Sequence, residues 1–233
     1  MFLKKLIFGK PSLNKRPPHS AIENRINNIK AIWNNDHDDD VGIEKMLRLF
    51  LASSQFLFPG LYIKEFFWKK GSTTQDIAVD VFVLVKVFFP LLILWNGWQE
   101  QHFLIVIMIW FMLETLLYVP SLIFASDILP KPRSYRRSML LLFFNYMEII
   151  FDFAVVYASG NYLNKPVNHW FDSVYFSLIT SASIGYGDYF PVTVMGKFLV
   201  SVQSIIFLIF VVMFLNFFSN RVEKKGYFDH NER

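Results

Sequence analysis

The sequence predicts an all-α membrane protein with four transmembrane helices and one shorter helix that enters the membrane and turns back. Three observations predict it. Hydrophobic residues make up 54% of the 233, with 27 phenylalanines, more apolar surface than a soluble domain of this length carries. Four long apolar runs follow residue 78, separated by polar or basic connections. Between the last two lies a polar, glycine-rich stretch, Thr180-Ser181-Ala182-Ser183-Ile184-Gly185-Tyr186-Gly187-Asp188. Such backbone is tolerated at membrane depth only where it is buried in protein or lines water, because lipid cannot satisfy its amide and carbonyl groups.

Residues 1–78 read as a cytoplasmic or interfacial region. Met1–Lys10 has no apolar core long enough for a secretory signal and is expected to stay cytoplasmic. Residues 11–43 are polar, and their run Asp36-His37-Asp38-Asp39-Asp40 reads as solvated charge, since carboxylates with one histidine define no metal geometry. Residues 44–70 are rich in Leu and Phe, are split by Pro59-Gly60, and carry Lys64, Lys69 and Lys70 at the far end. Neither half reaches the roughly 20 apolar residues of a span. An interfacial element with its lysines toward anionic headgroups is expected, and a helix docked on the cytoplasmic side is the competing placement.

A two-helix transmembrane hairpin is expected over 79–126. Its first helix runs from Val79 to Trp95, kinked or ended at Pro90, and its second from His102 to Ala125, joined by a turn whose tryptophans suit a membrane boundary. The connection Asp127–Arg137 holds Lys131, Arg133, Arg136 and Arg137, which places it in the cytoplasm. The third span, Ser138 to Tyr157, then leads outward to a loop containing Lys165. Asn168 is the expected N-cap of a helix from His169 to Ser181, with Asp172 complementing the dipole of its first turn. From its first residue to its last this helix rises about 18 Å, roughly half the hydrocarbon thickness, so it stops midway with its carbonyl end toward the membrane interior. The fourth span, Phe198 to Asn220, has no charged residue, and Arg221, Lys224 and Lys225 in the tail 221–233 hold it inside. Both termini are thereby cytoplasmic.

Gly185 and Gly187 flank one aromatic residue, and glycine lets a chain alternate between positive and negative φ without Cβ clashes. Alternation aims successive carbonyls at one axis, and oxygen is the ligand that hard cations prefer. At these residues the chain resembles the potassium-channel family, whose filter usually reads T-x-x-T-V-G-Y-G-D. Ser183 stands where threonine is usual and Ile184 where valine is usual. The resemblance covers 138–220 and implies an outer helix, a pore helix, a filter and an inner helix, four copies of which surround a central axis. It implies a homotetramer in a cell membrane that passes K+ passively, with ions held by the Ser183 hydroxyl and by carbonyls of Ser183, Ile184, Gly185 and Tyr186, next to Gly187. Tyr175, Phe176, Thr180 and Asp188 are the residues expected to brace the filter, and Leu208, Val211 and Leu215 to line the inner cavity or gate. Many family members place a glutamate behind the filter, but Ile179 stands there, so the Tyr175 hydroxyl is the expected donor to Asp188. The alternatives are a non-selective cation channel and a non-conducting scaffold or transporter subunit that keeps the pore fold.

Nothing in the sequence suggests an enzyme or a cofactor. No nucleophile and base arrangement or phosphate cradle is present, and the absence of cysteine excludes disulfides and thiolate sites. The net charge of +4 is spread over several loops rather than gathered into a nucleic-acid stripe; lipid is the partner the apolar spans call for, and K+ and further copies of the chain are the partners the resemblance implies. Asp80, Lys86, Glu114, Glu148 and Asp152 fall within spans, where ionisable groups are expensive, and a Lys86–Glu114 pair is the favoured resolution. No arginine recurs at every third position, so a voltage sensor is not expected.

Overall fold

Ser20 opens the first helix of the structure, a computed structural model that describes residues 17–36, 41–124 and 134–222. Its Oγ accepts from the Glu23 N–H at 3.2 Å while the Glu23 carboxylate accepts from the Ser20 N–H at 3.4 Å, a reciprocal cap. Helix α1 follows over Ala21–Asn34 and ends on Asn35 in the left-handed conformation. The polar character of this region hid a helix that Ser-x-x-Glu announces.

Helix α2, Gly42–Ser54, runs into a 3-10 turn at Gln55–Leu57, and α3, Pro59–Phe67, into another at Trp68–Lys70. Pro59 sits in the first turn of α3, where a missing N–H breaks no helical bond. The two segments meet at 67°. Next come α4 (Ser72–Trp95), α5 (His102–Phe124), α6 (Tyr135–Ala158), α7 (Trp170–Ser181) and α8 (Val194–Val222). Among the described residues there is no strand. Helices α4, α5, α6 and α8 are the four long and apolar enough to cross a membrane, and the bent pair makes a fifth if counted as one span.

The expected boundaries need correction at three starts. Helix α4 begins at Ser72 rather than 79 and continues through Pro90, α6 begins at Tyr135 rather than 138, and α8 at Val194 rather than 198. Polar first turns are apolar-poor but still helical, because Ser134 caps α6 by accepting from the Arg137 N–H and Thr193 Oγ1 accepts from Gly196 N–H at the start of α8. The expected basic connection at Lys131 and Arg133, and the tail at Lys224 and Lys225, lie outside the described residues.

The chain divides into two compact units. The first comprises Met1–Lys86 with Ile109–Pro130. Here α1 packs on α2 and α3, and the Ile22 N–H donates to the Glu65 carboxylate at 3.0 Å. The Lys86 ammonium donates to Thr115 Oγ1 at 2.6 Å and lies 3.9 Å from the Glu114 carboxylate, so the pair expected from sequence is in contact. Phe82 meets Phe111 edge to face beside them.

The second unit comprises Val87–Met108 with Lys131–Arg233. Its core includes Ile93, Leu94, Met108, Ala154, Val155 and Val174. Helix α7 packs against both α6 and α8, and Tyr146 of α6 is ringed by Phe207, Phe210 and Phe214 of α8. Glu148 and Asp152 of α6 are both fully buried.

Candidate functional site

Helix α7 positions the glycine-rich stretch. Its twelve residues extend about 18 Å, and its start differs from expectation: His169, not Asn168, is the N-cap. The His169 Nδ1 accepts from the Phe171 N–H at 3.2 Å and the Asp172 carboxylate accepts from the His169 N–H at 3.1 Å. An imidazole nitrogen serves as the acceptor that asparagine was expected to supply, and Asp172 closes the box as well as facing the positive end of the dipole.

The other end of α7 turns directly into the stretch. Ser183 N–H donates to Thr180 O at 3.0 Å and Ile184 N–H to Ile179 O at 2.9 Å, the two bonds of a Schellman stop with Ser183 left-handed at φ 54°. Gly185 and Gly187 follow at φ 59° and 83°, whereas Ile184 and Tyr186 do not have positive φ. The sign of φ therefore alternates over Ser183–Gly187. The strand so formed is exposed, Tyr186 by 70%, and a Cβ on Gly185 or Gly187 would meet nothing within 4 Å of this chain. Among the described residues, no element of its own chain covers it.

Behind α7 lies a buried polar cluster. Gln203 of α8 donates through Nε2 to Ser181 Oγ at 2.7 Å and to the Ser177 carbonyl at 3.0 Å, and its Oε1 accepts from the Tyr157 hydroxyl at 2.7 Å. Ser177 Oγ in turn donates to the Ile150 carbonyl at 2.6 Å. Tyr157, Ser177 and Gln203 are each at most 1% exposed. The sequence signal is Gln203, a glutamine inside an uncharged, mostly apolar span, which polarity at membrane depth marks as consequential.

At the outer end, Asn164 holds the segment after Gly187 from both sides. Its Nδ2 donates to the Asp188 carbonyl at 3.3 Å, its Oδ1 accepts from the Phe190 N–H at 3.0 Å, and its own N–H donates to the Phe190 carbonyl at 3.0 Å. The Val192 N–H donates to Tyr162 O at 3.0 Å on the same ladder. No local pattern in 159–168 marks Asn164, because its partners are more than twenty residues away in sequence.

The expected bracing residues divide. Tyr175 lies beside Asp188, and its ring meets that of Tyr189 edge to face at 6.5 Å. Phe176 is buried against Tyr157 at 4.8 Å, edge to face, and Thr180 supplies a carbonyl to the Schellman stop. Tyr189, which no local pattern marks, lies near Asp172 and under the Lys165 ammonium at 4.0 Å. On α8, Leu208 and Leu215 are 60% and 63% exposed and share a face with Phe198, Ser201, Ile205 and Val212, spaced at three and four residues. Val211 is only partly exposed at the flank of that face, with Val212 nearer its centre. The opposite face buries Gln203, Ile206, Phe210 and Met213.

Residues 139–224 match the family model described as "Ion channel". That stretch is a two-helix ion-channel pore module. The match begins within α6 and includes α7, the glycine-rich strand and α8, the elements just described. With four helices able to span a bilayer, the chain is an integral, multi-pass membrane protein. No curated protein and no solved structure matches the chain.

Proposed function

We propose that the pore module conducts K+ selectively as a homotetramer. The observation that carries this reading is the alternation of φ at Ser183, Gly185 and Gly187 on the carbonyl end of a half-length helix. Alternation turns the carbonyls of Ser183, Ile184, Gly185 and Tyr186 toward one side, and the Ser183 hydroxyl adds a further oxygen below them. One chain supplies one wall. The exposure of that wall, and of the apolar face of α8 through Leu208 and Leu215, favours three further copies that close the ring. Ions then move down their electrochemical gradient through stacked oxygen cages, with no cofactor and no covalent step.

We place Arg136 and Arg137 on the cytoplasmic side and Lys165 outside, following the inward preference of short basic loops. Purified protein in liposomes, with K+ on one side and Na+ on the other, tests the proposal. A reversal potential near the K+ equilibrium value is expected. A potential near zero identifies a non-selective cation pore, and absence of current a non-conducting scaffold.

A further inference from the structure

The bent pair α2–α3 is expected either on the membrane surface or docked beneath it, and its contacts with α5 bear on that depth. Three hydrogen bonds tie its bend to α5: Trp110 Nε1 donates to the Leu57 carbonyl at 3.2 Å, the Gly60 N–H donates to the Glu114 carboxylate at 3.0 Å, and Gln55 Nε2 donates to Ser121 Oγ at 3.3 Å. The span within α5 is His102–Leu122. Glu114 is therefore about 18 Å from one end of the span and about 12 Å from the other, and Trp110 about 12 Å and 18 Å, close to the middle of a roughly 30 Å hydrocarbon layer.

The route of α3 gives the same depth independently. Gly71, at φ 97°, reverses the chain between α3 and α4. Gln75 Nε2 then donates to the Lys64 carbonyl at 2.7 Å, and a Cβ on Gly60 would lie 3.8 Å from the Phe82 ring. Residue 64 thus stands beside 75 and residue 60 beside 82. From Ser72 to Phe82 and from Lys70 to Gly60 the two arms each cover about 15 Å. Helix α3 descends alongside α4 from its lysine-bearing end to its first residue.

The N-terminus of α3 has unsatisfied N–H groups, and such groups are costly in hydrocarbon. Glu114 answers the Gly60 N–H, and Lys86 and Thr115 stand beside that carboxylate within the same unit. The exposed surface of the pair is largely apolar but interrupted: Ile43, Met46, Phe50 and Leu57 lie at helical spacing with Ser53 exposed between the last two, Tyr62 and Phe66 follow with Lys64 exposed between them, and Lys69 and Lys70 stand exposed at the end away from the bend.

We propose that Gly42–Lys70 is a second re-entrant element, separate from the pore helix, whose bend at Leu57–Gly60 lies near the bilayer midplane and whose apolar stripe is covered by lipid acyl chains. The occupant of the stripe is lipid because it is continuous, through the Trp110–Leu57 contact, with the exposed apolar side of α5 at Val106 and Leu113.

The chain has no cysteine, so single cysteines report without background. L57C, F50C and K69C are labelled with a small fluorophore, and the full-length protein is reconstituted in vesicles whose lipids carry bromine at shallow, middle or terminal chain positions. Loss of fluorescence at position 57 is expected to be greatest with bromine deep in the chains, at position 50 with shallower bromine, and negligible at 69. In unlabelled vesicles a membrane-impermeant maleimide should modify position 69 and spare 57. Deepest quenching at 57 by shallow bromine overturns the proposal in favour of a surface helix. Rapid maleimide modification at 57 overturns it in favour of an element in water. If L57C does not fold, F66C serves as the apolar position, expected to be quenched and protected where K69C is neither.

Discussion

Tyr157 of α6 donates to Gln203 of α8 at 2.7 Å, and through that glutamine the outer and inner helices are joined behind α7. Tyr157→Phe leaves Gln203 Oε1 buried without its donor, a loss of about 1–3 kcal/mol per chain. A lower melting temperature in detergent is expected, with the secondary structure unchanged. Gln203→Leu should lower it further, since Ser177 and Ser181 lose their donor as well. Equal melting of Tyr157→Phe and parent would mean the cluster contributes nothing to stability.

Gly185→Ala is expected to abolish K+ selectivity or conduction. The Cβ meets open space in this chain, so the penalty is conformational: a left-handed alanine costs about 1–2 kcal/mol, and relief of that strain redirects a carbonyl in every copy. Unchanged reversal potentials in the variant would remove Gly185 from the conduction path.

Tyr175→Phe removes the hydroxyl beside Asp188 that is expected to brace it, and we expect assembled channels whose current declines faster during sustained opening. Steady currents in Tyr175→Phe indistinguishable from the parent would falsify this role.

Asn164→Ala deletes both side-chain bonds to the outer end of the strand while leaving its backbone bond to Phe190. The same faster decline is expected, through Asp188 and Phe190 rather than through α7. Combining Asn164→Ala with Tyr175→Phe should give a larger effect than either, because Asn164 holds the Asp188 carbonyl while Tyr175 is expected to act on its carboxylate. A double variant no worse than Tyr175→Phe would show that Asn164 is idle.

Gly60→Ala drives a methyl group into the Glu114 carboxylate and breaks the N–H bond that caps α3. Overpacking of this kind costs about 1–3 kcal/mol. Reduced thermal stability of the purified protein is expected, and an unaltered melt would show that α3 can shift away from α5 without loss.

Helix number and type were legible because a membrane imposes one strong rule: a span must be long, apolar and internally hydrogen-bonded. That rule separates α4, α5, α6 and α8 without reference to any contact, and it marks Thr180–Asp188 as backbone that must be sheltered. Local capping chemistry was legible in part. Asp172 was found in the first turn of α7, but the Ser20–Glu23 box was passed over and histidine was not credited as a cap.

Sequence alone determined that Ser183–Gly187 can alternate in φ, because glycine removes the Cβ penalty at alternate positions, and that charges within spans need partners. The Lys86–Glu114 pair was legible in the sequence, but tertiary structure alone decided the other partners: Thr115 beside Lys86, Gln203 between Tyr157 and Ser181, Asn164 against Asp188 and Phe190. It also decided that the Leu57–Gly60 bend descends to the middle residues of α5. Hydrophobic patterning sets which face of a helix is buried, but it carries no information on the neighbour. A hydrogen bond across 26 or 46 residues depends on where two rigid helices come to rest, and that is a property of packing rather than of any local run of side chains.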